Sequence, residues 1–200
     1  MPETASLNRE SLSTGDANTT AANRFTRLAG LDLSLTATGY CDEDVEPLVI
    51  STRYTGMPRV ELVLHEIERH LAKHHVDLVV IEGYSYGSKG AAVYGIAELG
   101  GVVRHHLWTT GTPYVDVPPA SLKKFACGDR KSRDKDAMVA TAARLGCPAD
   151  NNNACDAWWL LQLGLYWLAR DTCVVPRAGY RDDALSKVPW PAADSLESAL

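Results

Sequence analysis

Arg27-Leu-Ala-Gly-Leu-Asp-Leu-Ser-Leu-Thr-Ala-Thr-Gly39 is the stretch whose reading decides the fold. Its first half reads as an apolar strand carrying one carboxylate, Asp32. Its second half turns at Thr36 to Gly39 into a second strand through Tyr40 and Cys41. A carboxylate inside a buried-strand pattern is unfavourable unless it is paired, hydrogen-bonded or holding a metal. Asp32 therefore needs partners, and the rest of the chain is read for them.

Working outward, Pro47-Leu-Val-Ile-Ser-Thr-Arg-Tyr54 has the β-branched content of a third strand and completes a meander, ended by Gly56 and Pro58. Val60, Val63, Leu64, Ile67 and Leu71 recur at helical spacing up to His74, so an amphipathic helix follows. Its histidines, His65, His70, His74 and His75, lack an H-E-x-x-H spacing and read as structural. Val76-Asp-Leu-Val-Val-Ile-Glu82 is a continuous apolar run, as in a strand buried on both faces, and it ends in a second carboxylate, Glu82. Ligands of open α/β sheets gather at strand ends, where these two acids can converge.

The loop Gly83-Tyr-Ser-Tyr-Gly-Ser-Lys-Gly90 can serve as a simple connection, or Tyr84 and Tyr86 can stack on bases while Lys89 meets a phosphate. A helix with many small residues is expected over 91–107, and a last strand over Tyr114-Val-Asp-Val117, closed by Pro118 and Pro119. Between Ser121 and Lys135 lie six basic residues, Lys123, Lys124, Arg130, Lys131, Arg133 and Lys135, against two acidic ones. The chain as a whole is acidic, with a formal charge of −5, so contact with nucleic acid must come from this local patch. A short helix follows over 135–145. After Asp150-Asn-Asn-Asn153 comes a strongly apolar helix over 154–168 that carries a third acid, Asp156, with Asn153 three residues earlier on the same side.

Two hundred residues with 46% hydrophobic content suit one domain. Residues 1–23 are polar and small and are expected to form a disordered tail, with the domain over 24–171. The prolines beyond Asp171 suggest an extended or weakly ordered C-terminal extension over 172–200. Five cysteines without a C-x-x-C pair suggest neither a disulfide framework nor a zinc ribbon, and no long apolar run or signal pattern stands out. A cytoplasmic protein without membrane association is the expectation.

Three acids, Asp32, Glu82 and Asp156, form a hard oxygen donor set that suits Mg²⁺ or Mn²⁺. Two such ions about 4 Å apart can activate a water and stabilise the leaving oxygen of a phosphodiester. In order and spacing these residues resemble the RuvC family of Holliday-junction resolvases, within the RNase H-like superfamily, and its phage-encoded branch in particular. Gly30-Leu-Asp-Leu-Ser-Leu-Thr-Ala-Thr-Gly39 resembles the first acidic motif, Val79-Val-Ile-Glu82 the second and Asn153-Ala-Cys-Asp156-Ala the last. Lys123 and Lys135 resemble two family lysines.

The resemblance implies an α/β fold with a mixed five-stranded sheet flanked by helices. It implies a homodimer that cuts four-way DNA junctions with Mg²⁺, in DNA recombination, repair or phage DNA processing, without a small-molecule cofactor. Many members have an acid where this chain has Asn153, so the fourth ligand is either this amide oxygen or nearby Asp150. Three other readings remain: an RNase H-like nuclease for other branched or hybrid substrates, a non-catalytic junction-binding protein, and an actin-like phosphotransferase, for which the chain leaves little room.

Overall fold

The two apolar runs that end in acids become the central strands of a sheet. β1 (Leu28–Asp32) and β4 (Leu78–Glu82) run parallel, paired from Leu28 with Leu78 to Leu31 with Ile81. β2 (Thr38–Asp42) returns antiparallel along β1, and β3 (Leu48–Ile50) runs antiparallel along β2. β5 (Tyr114–Val117) lies parallel to β4, so the order is β3-β2-β1-β4-β5. The computed structural model describes residues 25–84, 91–128 and 134–191. The tail expected over 1–23 lies outside them, as do the candidate DNA contacts Tyr86, Lys89, Arg130, Lys131 and Arg133.

Six helices among the described residues cover the sheet on both faces. α1 (Met57–Lys73) and α2 (Ala91–Thr109) pack on one face, where Val60, Val63, Ile67, Leu99, Val103 and Leu107 meet Ala29, Leu31, Val79 and Ile81. α3 (Pro119–Cys127), α4 (Lys135–Arg144), α5 (Asn152–Trp167) and α6 (Gly179–Leu185) build the core on the other, against Leu28, Leu78, Val80, Val115 and Val117. Side chains alternate along a strand, so the face that takes Leu28 also takes Asp32, and the face that takes Leu78 and Val80 also takes Glu82. Both acids are thereby aimed at the α5 side.

α5 is held unusually close to the sheet. Asn151 caps it, its side chain accepting the Ala154 N–H at 2.9 Å, and every residue from Ala154 to Trp167 is buried. A Cβ on Gly30 would overlap the Ala157 carbonyl oxygen, and one on Gly39 would overlap that of Asn153. Backbone thus rests on backbone, which only glycine permits. No helix among the described residues is long and apolar enough to cross a membrane.

The structure corrects two expectations and adds a helix that the sequence reading did not place. The third strand is confined to Leu48–Ile50, because as an edge strand it pairs on one side only. The start of the basic segment is a helix, α3, with Pro119 in its first turn where a missing N–H is harmless, and with Leu122, Phe125 and Ala126 facing the core. The segment after Asp171 is not uniformly extended. α6 forms there and docks on α3 through Arg181, which is buried and donates to the carbonyls of Phe125 (3.1 Å) and Pro176 (2.8 Å).

Candidate active site

Asp32 and Glu82 are the last residues of neighbouring parallel strands, one step beyond the Leu31–Ile81 pair. The spot is the carboxyl end of the parallel strands, where ligands of α/β sheets bind. The close packing of α5 on Gly30 and Gly39 brings Asp156, in the helix's second turn, to the same place. Asp32 and Asp156 each retain 8% of their exposure. Sequence separations of 50 and 124 residues, from 32 to 82 and from 32 to 156, are closed by one parallel strand pair and one helix-on-sheet contact.

The electrostatics follow from this crowding. Burial holds the Asp32 carboxyl well above the usual carboxylate range, and the charges of Glu82 and then Asp156 push it further. The side-chain interaction between Asp32 and Glu82 raises the first and lowers the second, as expected of a carboxyl pair that favours one proton. Glu82 is itself raised by burial, opposed by that hydrogen bond and by the charges of Lys123 and Lys135. Asp156 is pushed up to about 6, by burial first and by Glu82 second, again with Lys135 and Lys123 opposing. Among the described residues no backbone N–H or hydroxyl donates to the side chains of Asp32 or Asp156. Carboxylates crowded together at low exposure favour a positive charge beside them, which Lys123 and Lys135 supply in part.

An oxygen-only set of three crowded acids fits a hard divalent cation such as Mg²⁺ or Mn²⁺. Among the described residues, however, no three His, Cys, Asp or Glu side chains are gathered as a ready coordination group. Asp32 and Glu82 instead interact with each other, side chain to side chain. Asn153 is engaged differently: its Nδ2 donates to the Ala37 carbonyl, tying the first turn of α5 to the β1–β2 turn. Asp150 is exposed and accepts from Asn151 Nδ2 at 3.0 Å.

A cleft of about 240 Å³ opens beside the acids, walled by Asp32, Glu82, Leu33, Tyr84, Ile96 and Lys123. Lys123 is exposed at its rim, and exposed Lys135 opens α4 within electrostatic reach of all three acids. Lys124 points elsewhere and pairs with Asp183 on α6, which also binds Lys187 at 3.3 Å. Tyr84 has one ring face covered by the Arg104 guanidinium, 4.6 Å from the ring centre. Arg104 itself lines the cleft and escaped the sequence reading. A single arginine in a helix dominated by apolar and small residues was the signal that marks it.

No family model matches this chain, and no curated protein does. Among solved structures it is similar to Thermus thermophilus RuvC in complex with a Holliday junction substrate. The identity there is 17%, with 74% of this chain and 96% of that chain covered and a TM-score of 0.59. It is also similar to the Thermus thermophilus RuvC structure, at 16% identity, 72% and 97% coverage and a TM-score of 0.54. The mixed five-stranded sheet with its flanking helices is the RuvC-type, RNase H-like fold.

Proposed function

We propose that this protein is a structure-selective endonuclease that cuts four-way DNA junctions by metal-dependent phosphodiester hydrolysis, serving recombination, repair or phage DNA processing. The observation that carries the reading is the trio of buried Asp32, half-buried Glu82 and buried Asp156, crowded at the carboxyl end of β1 and β4, each carboxyl raised by burial and the two aspartates raised further by their acidic neighbours. Acids perturbed by burial and by one another, lining a cleft, cluster at functional sites. The RuvC-type fold agrees with this choice, since one of the matched structures is described as a complex with a Holliday junction substrate. On its motifs alone we assign the chain to the phage-like branch.

In this reading Asp32, Glu82 and Asp156 hold Mg²⁺ or Mn²⁺, two ions per site, with the Asn153 amide oxygen as a weaker fourth donor. Bound there, the metal supplies Lewis-acid chemistry for hydrolysis of the phosphodiester. A cation held there would favour the carboxylate form of Asp32, whose place at the end of β1 is set by the strand pairing with β2 and β4. Lys123, at the rim of the cleft, and Lys135, opening α4, neutralise phosphates of the arriving strand. The segment with Arg130, Lys131 and Arg133 extends the DNA-binding surface, together with Tyr86 and Lys89.

A homodimer completes the proposal. On α2, Tyr94 (80% exposed) and Trp108 (70% exposed) bracket exposed Ala97 and Gly101 along one helix face, an apolar stripe suited to a second copy. We take residues 24–171 as the nuclease domain, 172–200 as its extension and the cytoplasm as its compartment.

Synthetic four-way junctions, flaps and RNA/DNA hybrids incubated with Mg²⁺ test the reading. Cleavage of the junction at symmetric positions, faster than of the flap or hybrid, is the expected result. Preferred cleavage of the hybrid, or none of any substrate, overturns it.

A further inference from the structure

Arg104 sits in the middle of α2 with its whole guanidinium committed. Nε donates to both carboxylate oxygens of Asp116 on β5, at 3.0 and 3.3 Å, and Nη2 donates to Oδ1 at 2.5 Å. Nη1 donates to the Gly100 carbonyl at 3.0 Å and to the Tyr84 hydroxyl at 3.3 Å. The planar face lies over the Tyr84 ring. The Tyr84 hydroxyl in turn donates to the Ala97 carbonyl at 3.3 Å, in a notch that exists because residue 100 is glycine: a Cβ there would overlap the phenol oxygen.

This clamp grips the chain two residues after Glu82. Asp116 is the strand partner of Ile81, and the Gly83 N–H donates to the Val117 carbonyl at 2.8 Å. Glu82-Gly83-Tyr84 is therefore pinned by β5 on one side and by Arg104 and α2 on the other, and Tyr84 becomes a fixed wall of the cleft shared with Asp32 and Glu82.

We propose that Arg104 is a positioning residue, which through Tyr84 and Asp116 fixes the exit of β4 and so the Glu82 side of the catalytic site. The proposal rests on the nuclease reading. Every donor-bearing arm of Arg104 already has a partner and its side chain is largely buried, so it does not bind phosphate as Lys123 does. Its loss misplaces a reacting group without removing a DNA contact, and small misplacements of that kind lower turnover about tenfold to a hundredfold.

Arg104→Gln, Tyr84→Phe and the double variant separate the possibilities in a junction assay with Mg²⁺. Arg104→Gln is expected to lower turnover about tenfold, with junction Kd and the salt dependence of binding unchanged. Tyr84→Phe should give a smaller fall in turnover, and the double variant no more than Arg104→Gln alone. A weaker Kd with a salt slope smaller by about 0.9 makes Arg104 a phosphate contact and overturns the proposal. Additive losses overturn it too, as does unchanged turnover in Tyr84→Phe, which settles the matter if Arg104→Gln does not fold. A second readout needs no cleavage: the ring resonance of ¹³C-labelled tyrosine at 84 in the DNA-free protein. It should move to an exposed-tyrosine position in Arg104→Gln; an unmoved resonance denies the clamp. If the wild type cuts no branched DNA, the nuclease reading has failed, and the resonance still decides whether Arg104 positions Tyr84.

Discussion

Asp32 and Asp42 lie on adjacent strands of one sheet and are about equally buried, at 8% and 4% exposure, yet their surroundings differ. Asp42 accepts the Tyr40 hydroxyl at 2.7 Å and the Asp44 N–H at 2.8 Å, so two donors replace the water it lost. Asp32 has no such donors; burial and the charges of Glu82 and Asp156 all push its carboxyl up. A buried carboxylate with donors is satisfied where it stands; acids crowded together without donors are what the proposed cation would neutralise. Burial alone does not mark a site, but burial of acids against one another does.

Exchanging each acid for its amide should break the symmetry of that pair most sharply. Asp32→Asn, Glu82→Gln and Asp156→Asn are each expected to lower junction cleavage by about 10²–10³-fold or more with little loss of binding, measured as single-turnover rates beside gel-shift affinities. Asp42→Asn should leave cleavage intact and destabilise the fold by about 1–3 kcal/mol, because it replaces an acceptor at a site built from donors. An Asp42 variant that abolishes cleavage while the fold survives would dissolve the distinction.

The pH dependence of stability without metal sharpens it next. Asp32, Glu82 and Asp156 are all raised in the folded protein, which therefore holds protons that the unfolded chain releases. Their contribution is fully present below about pH 4, the ordinary carboxylate range, and is lost as pH rises through the folded values, which for Asp156 means about 6. The loss from Asp156 alone is on the order of 3 kcal/mol. Melting curves from pH 4 to 8 should fall in this window, flatten in Asp32→Asn, and recover at pH 8 on adding Mg²⁺ or Mn²⁺, which bind the folded state.

Gly30→Ala tests the helix contact that makes the pair differ. Lifting α5 off β1 should cost about 1–3 kcal/mol and separate Asp156 from Asp32, so chemical denaturation and cleavage should both suffer. The smallest effects belong to the lysines. Lys123→Ala and Lys135→Ala should weaken junction binding and each reduce the salt slope by about 0.9, whereas Lys124→Ala, whose charge is already paired with Asp183, should change the slope less.

Much of this was legible in the sequence, because apolar runs and helical spacing depend on neighbours along the chain. β1, β4, β5, α1 and α5 stand close to where periodicity put them, and their acids fall at strand or helix ends. What escaped depends on distant partners. α6 exists because Arg181 reaches the Phe125 carbonyl, 56 residues away, behind prolines that locally argue against any element. α3 was hidden by its lysines and its two prolines. Lys124 reads like Lys123 until Asp183 is seen beside it, and Arg104 gains its role only from Asp116 and Tyr84. The donors that separate Asp42 from Asp32 are likewise invisible until the chain is folded.

The most direct test of the central claim is a synthetic four-way junction offered to wild type and Asp32→Asn, with and without Mg²⁺. Paired, symmetric cleavage by the wild type only with Mg²⁺, and intact binding without cleavage by Asp32→Asn, is the predicted result. Undiminished cleavage by Asp32→Asn would contradict the account.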